Sequence, residues 1–204
     1  MIEKDLYSKI YLANNTIVEM LIDRGYNPTR TTYDTIEDFG LEFRNVLTEP
    51  RSLNFVSKKD QLTTAVYFSL EEKIPKSTLE GIVQNNINDG CNNLIIIMQN
   101  KLNHACVSYL NSVRANIFVE GFLFNELLFN PTKHELVPHH KIMNQLEITE
   151  LLKKHSCTLE NLPKILSTDI ITRYLGAKVN DVISIQRQSK TAKTSIYYRV
   201  VKNS

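Results

Sequence analysis

The last fifth of the chain constrains its fold most: residues 162–201 read LPKILSTDIITRYLGAKVNDVISIQRQSKTAKTSIYYRVV. Asp169 is placed to cap a short helix over residues 170–175, its carboxylate accepting N–H groups that the first turn leaves free. Gly176 follows, the residue best suited to the left-handed conformation that stops a helix. After a turn over residues 178–181, Val182, Ile183 and Ile185 form one β-branched run. Ile196, Tyr197, Tyr198, Val200 and Val201 form another, across a polar connection at residues 186–195. Two such runs joined by turn residues predict an antiparallel pair, so the stretch reads as a small α+β unit complete in itself.

The rest of the chain must be accommodated around that unit. At 204 residues the sequence suits one large domain or two small ones. Its 42% hydrophobic and 23% charged content is ordinary for a globular protein. No apolar run approaches the ~20 residues of a membrane span, and the opening MIEKDLYSKI lacks the basic-then-apolar order of a signal peptide. Cys91, Cys106 and Cys157 are odd in number and far apart, which predicts a reducing compartment and no disulfide framework. The net charge of +2 is unevenly spread. Residues 153–204 carry ten Lys/Arg against three Asp/Glu, a net +7, whereas residues 1–152 carry fourteen against nineteen, a net −5. The basic part suits a nucleic-acid surface, a dock for an acidic protein face, or a solvated rim.

Taken in order, residues 5–24 place Leu6, Ile10, Ile17, Val18, Leu21 and Ile22 at helical spacing, and Gly25 ends the run. A second helix is expected over residues 35–47, with Ile36, Phe39, Phe43, Val46 and Leu47 on one side. Strands are expected at residues 53–56 and 65–70. Ser77-x-x-Glu80 has the form of a capping box and predicts a helix over residues 78–89, stopped by Gly90. Residues 94–98, Leu-Ile-Ile-Ile-Met, are apolar without alternation, as in a strand buried on both faces. A helix over residues 104–113 with Asn103 as cap, then a strand at residues 117–119, completes the grammar of an α/β layer fold. Residues 122–129 are apolar, and periodicity does not choose between strand and helix there. Residues 130–133, Asn-Pro-Thr-Lys, form the best break in the chain. Asn144 is placed to cap a helix over residues 145–155.

The residue order in the C-terminal unit is more specific than its pattern requires. L-P-x-I-x-x-x-D-x-x-x-R-Y-x-G, then D-V-x-x-I-x-R-x-S-x-T-A, then Y-R-V closely resembles the assembly domain of the fifth subunit shared by eukaryotic RNA polymerases I, II and III. In that family the archaeal counterpart consists of this domain alone. The resemblance extends to His134-Glu135-Leu136-Val137-Pro138, similar to the family's junction between an N-terminal jaw domain and the assembly domain. It also covers residues 18–26, VEMLIDRGY, at a helix end. Three positions depart from the family: Ile170 stands in place of proline, and Asn180 and Lys193 in place of glycine. Asn180 is the best non-glycine tolerator of positive φ; Lys193 is not. These departures fit a divergent or a viral lineage.

The resemblance implies a three-layer α/β jaw domain over residues 1–133 and a small α+β assembly domain over residues 134–204. It implies a non-catalytic polymerase subunit, without cofactor, that docks on the largest subunit and lines the downstream DNA cleft, with no membrane or small-molecule partner. Subunit-interface positions follow at Pro163, Arg173, Tyr174, Arg187, Ser189, Thr191, Tyr198 and Arg199. Arginine forks onto carboxylates and tyrosine gives rigid amphipathic area, although the tyrosine rings suit a small core equally well. Asn103 and His104 map onto the family's DNA-proximal helix start, without its T-P-S-A residues. The compartment is the nucleus for a cellular polymerase, or the virion and cytoplasmic factory for a viral one. The competing reading is a free-standing nucleic-acid-binding module built on the basic C-terminal domain.

Other chemistry finds little support. His134, His139, His140, His155 and Cys157 lie close in sequence, but His134 to His139 alone approaches the paired spacing of a zinc site, across a proline and with no matching cysteine pair. A metal-dependent nuclease needs converging carboxylates beside a lysine, and Glu120 is the one acid near the strands at 94–98 and 117–119. Neither G-x-G-x-x-G nor G-x-x-x-x-G-K occurs.

Overall fold

The computed structural model describes residues 2–187 and 195–203. The chain forms two compact units, Met1–Phe129 and Asn130–Ser204.

In the first unit, α1 (Ile2–Asp23) buries Ile10, Ala13, Ile17, Met20 and Leu21 completely. It closes on Gly25 at φ 82°, where Gly25 N–H donates to Ile22 O and Tyr26 N–H to Leu21 O, both at 2.8 Å. The two-residue strand β1 (Asn27–Pro28) follows. Helix α2 (Ile36–Glu42) is shorter than its apolar spacing predicts. Phe43 and Val46 reach the same core from a turn beyond its end, so hydrophobic periodicity outlasts the helix. The strands also differ from expectation. β2 (Phe55–Lys59) and β3 (Leu62–Phe68) pair around a tight turn at Asp60, φ 50°, while Leu53 lies in a 3-10 turn ahead of them. Cross-strand pairing with β3 extends β2 through Lys58 and Lys59, charged residues that a propensity reading leaves out.

Helix α3 (Lys76–Asn88) corrects the expected capping box. Its N-cap is Pro75, which makes no side-chain cap, and the helix begins early enough to take in Ser77 and Glu80. Glu80 pairs instead with Lys76 one turn back, at 3.2 Å. Strand β4 (Asn93–Met98) is buried throughout residues 94–98, as its unbroken apolar run predicts. Helix α4 (His104–Val113) has the expected bounds and cap, with Asn103 Oδ1 accepting from Cys106 N–H at 2.8 Å. In the ambiguous apolar stretch, β5 (Phe118–Leu123) runs to Leu123 and a 3-10 turn follows at Phe124–Glu126.

The sheet order is β1-β2-β3-β4-β5, with β3, β4 and β5 parallel. Leu94, Ile96 and Met98 pack with Leu79 and Val83 of α3 and Cys106 of α4, so both crossover helices cover one face. Ile95 and Ile97 point the other way and are equally buried. Glu120, level with Ile95, bonds Arg24 at the end of α1, which places that helix end over the second face. The unit is therefore a three-layer α/β domain.

The second unit opens with Asn130 and Pro131 buried, and Asn130 Oδ1 accepts from Thr132 N–H at 2.9 Å. Its elements are β6 (His139–Ile142), α5 (Gln145–His155), β7 (Lys164–Leu166), α6 (Ile170–Leu175), β8 (Val182–Arg187) and β9 (Ser195–Lys202). The sheet order is β6-β8-β9-β7, with β7 parallel to β9 and the other pairs antiparallel. Asn144 and Glu147 cap α5 reciprocally, each side chain accepting the other's backbone N–H at 2.8–2.9 Å. Hydrogen bonds from Lys141 and Asn144 hold the Glu147 carboxyl below its usual range. Asp169 caps α6 through Ile171 and Thr172, and Gly176 ends it at φ 70°. Asn180 takes φ 74°, the positive value that its place in the turn predicts. Alternation in β8 then serves two cores: Val182 packs with Ile148 and Leu151 of α5, while Ile183 and Ile185 pack with Leu175 at the end of α6. A sheet with a helix on each face gives this short unit two layers of burial without disulfides.

Candidate functional site

The β8–β9 ladder runs from Val182↔Val200 to Arg187↔Ser195, and its far end extends past the helices that bury its near end. There the side chains change character. Val182, Ile183, Val200 and Val201 are fully buried, whereas Ile196 and Tyr197 are 54% and 53% exposed. Beside this end lies a groove of about 1250 Å³ within the second unit. It is lined by Pro163, Arg187, Tyr198 and Arg199, four of the expected interface residues, together with Ile196 and Tyr197. Backbone bonds hold its walls: Pro163 O accepts from Val200 N–H at 2.9 Å, tying the entry of β7 to β9. The exposed Arg199 guanidinium donates to Lys164 O at 3.4 Å through Nη1, one of its five N–H groups. Tyr198 faces the α5 side, its ring 6.5 Å from that of His155. His140 Nδ1 lies 2.6 Å from Pro138 O; a carbonyl only accepts, so Nδ1 carries the proton.

The other expected interface residues fall elsewhere. Tyr174 is 2% exposed and belongs to the core, so its ring offers no area to a partner. The face of α6 that meets the sheet dictates this, because Ile171 and Tyr174 lie one turn apart on it. Arg173 is half-buried on α6 and does not line the groove. Ser189 and Thr191 lie outside the described residues, as does Lys193. Ile196 and Tyr197 were legible only as strand formers. Three consecutive bulky residues, Ile196-Tyr197-Tyr198, cannot all face one side of a strand, and this was the available sign of a surface.

In the first unit, Asn103 and His104 are exposed at the start of α4, with the Asn103 oxygen engaged as the helix cap. Both oxygens of Glu120 accept from Arg24, at 2.8 and 3.0 Å, so this acid has a structural partner. Among the described residues no group of three or more His, Cys, Asp or Glu is arranged to hold a metal ion. Cys91, Cys106 and Cys157 are free thiols, and burial together with Asp89 pushes the Cys91 thiol up.

The groove thus sets Arg187 and Arg199 beside Glu135 and Asp169, edged by half-exposed Ile196 and Tyr197, a mixture of arginine and aromatic area of the kind that protein interfaces favour. A family model described as RNA polymerase Rpb5, C-terminal domain, matches residues 129–201. Subunit RPABC1 of DNA-directed RNA polymerases I, II and III from Caenorhabditis elegans is 28% identical over 201 residues, covering 95% of each chain. DNA-directed RNA polymerase V subunit 5C from Arabidopsis thaliana is 30% identical over 200 residues, covering 95% of this chain and 84% of the relative. The chain belongs to the Rpb5 family of RNA polymerase subunits. It is accordingly a structural, non-catalytic component of a DNA-directed RNA polymerase.

Proposed function

We propose that the chain joins its polymerase by docking residues 134–204, as an assembly domain, on the largest subunit, and that residues 1–133 serve as a jaw beside the downstream DNA. The groove at the end of β8–β9 carries the reading. It brings Pro163, Arg187, Tyr198 and Arg199 together with half-exposed Ile196 and Tyr197, the mixture of arginine and aromatic area found in interface cores. The net +7 of residues 153–204 suits an acidic partner face. DNA proximity belongs to the assembly, because residues 1–152 carry −5 and repel phosphates at long range. His104, exposed at the start of α4, is the position proposed to face the duplex. The nucleus is the compartment for a cellular polymerase, the virion and cytoplasmic factory for a viral one.

A crosslinker carried on residue 104 is expected to capture downstream duplex in an elongation complex. The free chain should bind DNA only weakly and salt-sensitively, at the non-specific order of ~10⁻⁴–10⁻⁶ M. Tight, sequence-selective binding by the free chain with no crosslink in the complex would refute the placement.

A further inference from the structure

We propose that a pocket beside Arg30 in the first unit binds a singly charged carboxylate. The inference is independent of how the second unit docks. The pocket has a volume of about 500 Å³ and is lined by Thr29, Arg30, Tyr33, Glu42, Asn54 and Phe55, among others. Its guanidinium is held in place: the Arg30 Cζ lies 4.4 Å from the centre of the Phe43 ring and 5.1 Å from that of Phe55. Nη2 donates to Ser52 O at 2.8 Å. Nη1 is buried and has no hydrogen-bond partner among the described residues. A cationic donor in this condition forfeits the hydration it had in water without regaining a protein acceptor. Burial accordingly pulls Arg30 below its ordinary range, against the opposing influence of Tyr33 and Glu42.

The nearby acid holds Tyr33 through one of its oxygens and acts on Arg30 by its charge alone. Glu42 accepts a short hydrogen bond from the Tyr33 hydroxyl, and no ion pair joins it to Arg30 among the described residues. Burial and the Glu42 hydrogen bond push Tyr33 up to about 12, so that hydroxyl keeps its proton, and its hold on Glu42, at neutral pH. Asn54 adds a second donor. Its Oδ1 accepts from Phe68 N–H at 2.9 Å, which fixes the amide orientation, and its NH₂ has no partner among the described residues.

Two unengaged donors, one of them cationic, call for an acceptor with negative charge. Carboxylate is the group that matches a planar guanidinium. The Glu42 carboxylate on the same wall opposes a second negative charge and so disfavours a phosphate dianion. The net −5 of residues 1–152 disfavours a polyanion such as nucleic acid. The carboxylate arrives either on an acidic side chain of a peptide segment or as a small free acid.

The test is an NMR titration of the full-length chain, following the Arg30 Nε–Hε signal. Acetate, the peptide acetyl-Ala-Glu-Ala-amide, inorganic phosphate and a DNA oligonucleotide are added separately. Saturable movement of the Arg30 signal by a carboxylate, at lower concentration than phosphate or DNA requires, supports the site. Tighter binding of the peptide assigns the ligand to a protein side chain; tighter binding of acetate assigns it to a small acid. Glu42→Gln should keep the Tyr33 acceptor, remove the opposing charge and tighten carboxylate binding about fivefold. Arg30→Gln, read on the Tyr33 and Phe55 backbone amides of the pocket wall, should abolish binding; if that variant does not fold, Glu42→Gln carries the test. A signal that moves without saturation, phosphate or DNA binding ahead of both carboxylates, or no gain from Glu42→Gln would overturn the proposal.

Discussion

Tyr174→Ala is expected to cost the second unit about 4 kcal/mol, the range for removing a large aromatic side chain from a core. Tyr174 is the largest fully buried side chain among the described residues, at 2% exposure, on a helix of only six residues. A unit of this size has roughly 4–11 kcal/mol of total stability at the usual ~0.05–0.15 kcal/mol per residue. The loss therefore consumes a large part of what holds the groove in shape. Amide hydrogen exchange of the full chain reads it directly. Val200 N–H, bonded to Pro163 O, and Val201 N–H, bonded to Asp181 O, should exchange about a thousandfold faster. The same amides should be nearly unaffected by Arg199→Ala, because that side chain is exposed. Acceleration below tenfold in Tyr174→Ala would show that the ring is not a core element.

Glu120→Ala should cost the first unit about 3 kcal/mol and lower its melting temperature by roughly 10 °C. The Arg24–Glu120 pair is forked, at 2.8 and 3.0 Å, with side-chain exposures of only 9% and 15%. Removing Glu120 takes both carboxylate oxygens of the fork away from an Arg24 guanidinium that has little access to water. Replacing both, as Arg24→Met with Glu120→Leu, should recover most of the loss, since neither desolvated charge then remains. Thermal unfolding of the two variants side by side makes the comparison. A double variant no better than Glu120→Ala would mean that the pair contributes through something other than charge.

What could be read from the sequence was local. Asp169, Gly176, Asn103 and Asn144 announce helix ends because a cap is a contact between residues within one turn, and each acts as its position predicts. Asn180 discloses its positive φ for the same reason. The unbroken run at residues 94–98 identifies the central strand because burial on both faces removes alternation. What escaped was non-local. The strand His139–Ile142 is polar and alternating, and it exists because β8 offers it an edge. The three-residue strand Lys164–Leu166 exists because β9 does. Arg24 and Glu120 stand 96 residues apart, and nothing in the chain announces their pairing. Ser77 and Glu80 misled because a capping box names two residue types, while the helix start was set by Pro75 just ahead of them. Family resemblance marked Pro163, Arg187, Tyr198 and Arg199, but it could not separate them from Tyr174, whose burial depends on which face of α6 meets the sheet.

The groove of the second unit is the surface through which this chain is proposed to dock as a polymerase subunit. Affinity purification of the tagged full-length chain, beside an Arg187→Glu, Arg199→Glu variant, tests it most directly. Both arginines are exposed, so reversing their charge should leave the core intact while opposing an acidic partner face. The unaltered chain should bring down the largest polymerase subunit with the rest of the enzyme, and the variant should lose at least tenfold of that yield. Recovery of the unaltered chain with nucleic acid but no polymerase subunit, or full recovery of the polymerase by the folded variant, would contradict it.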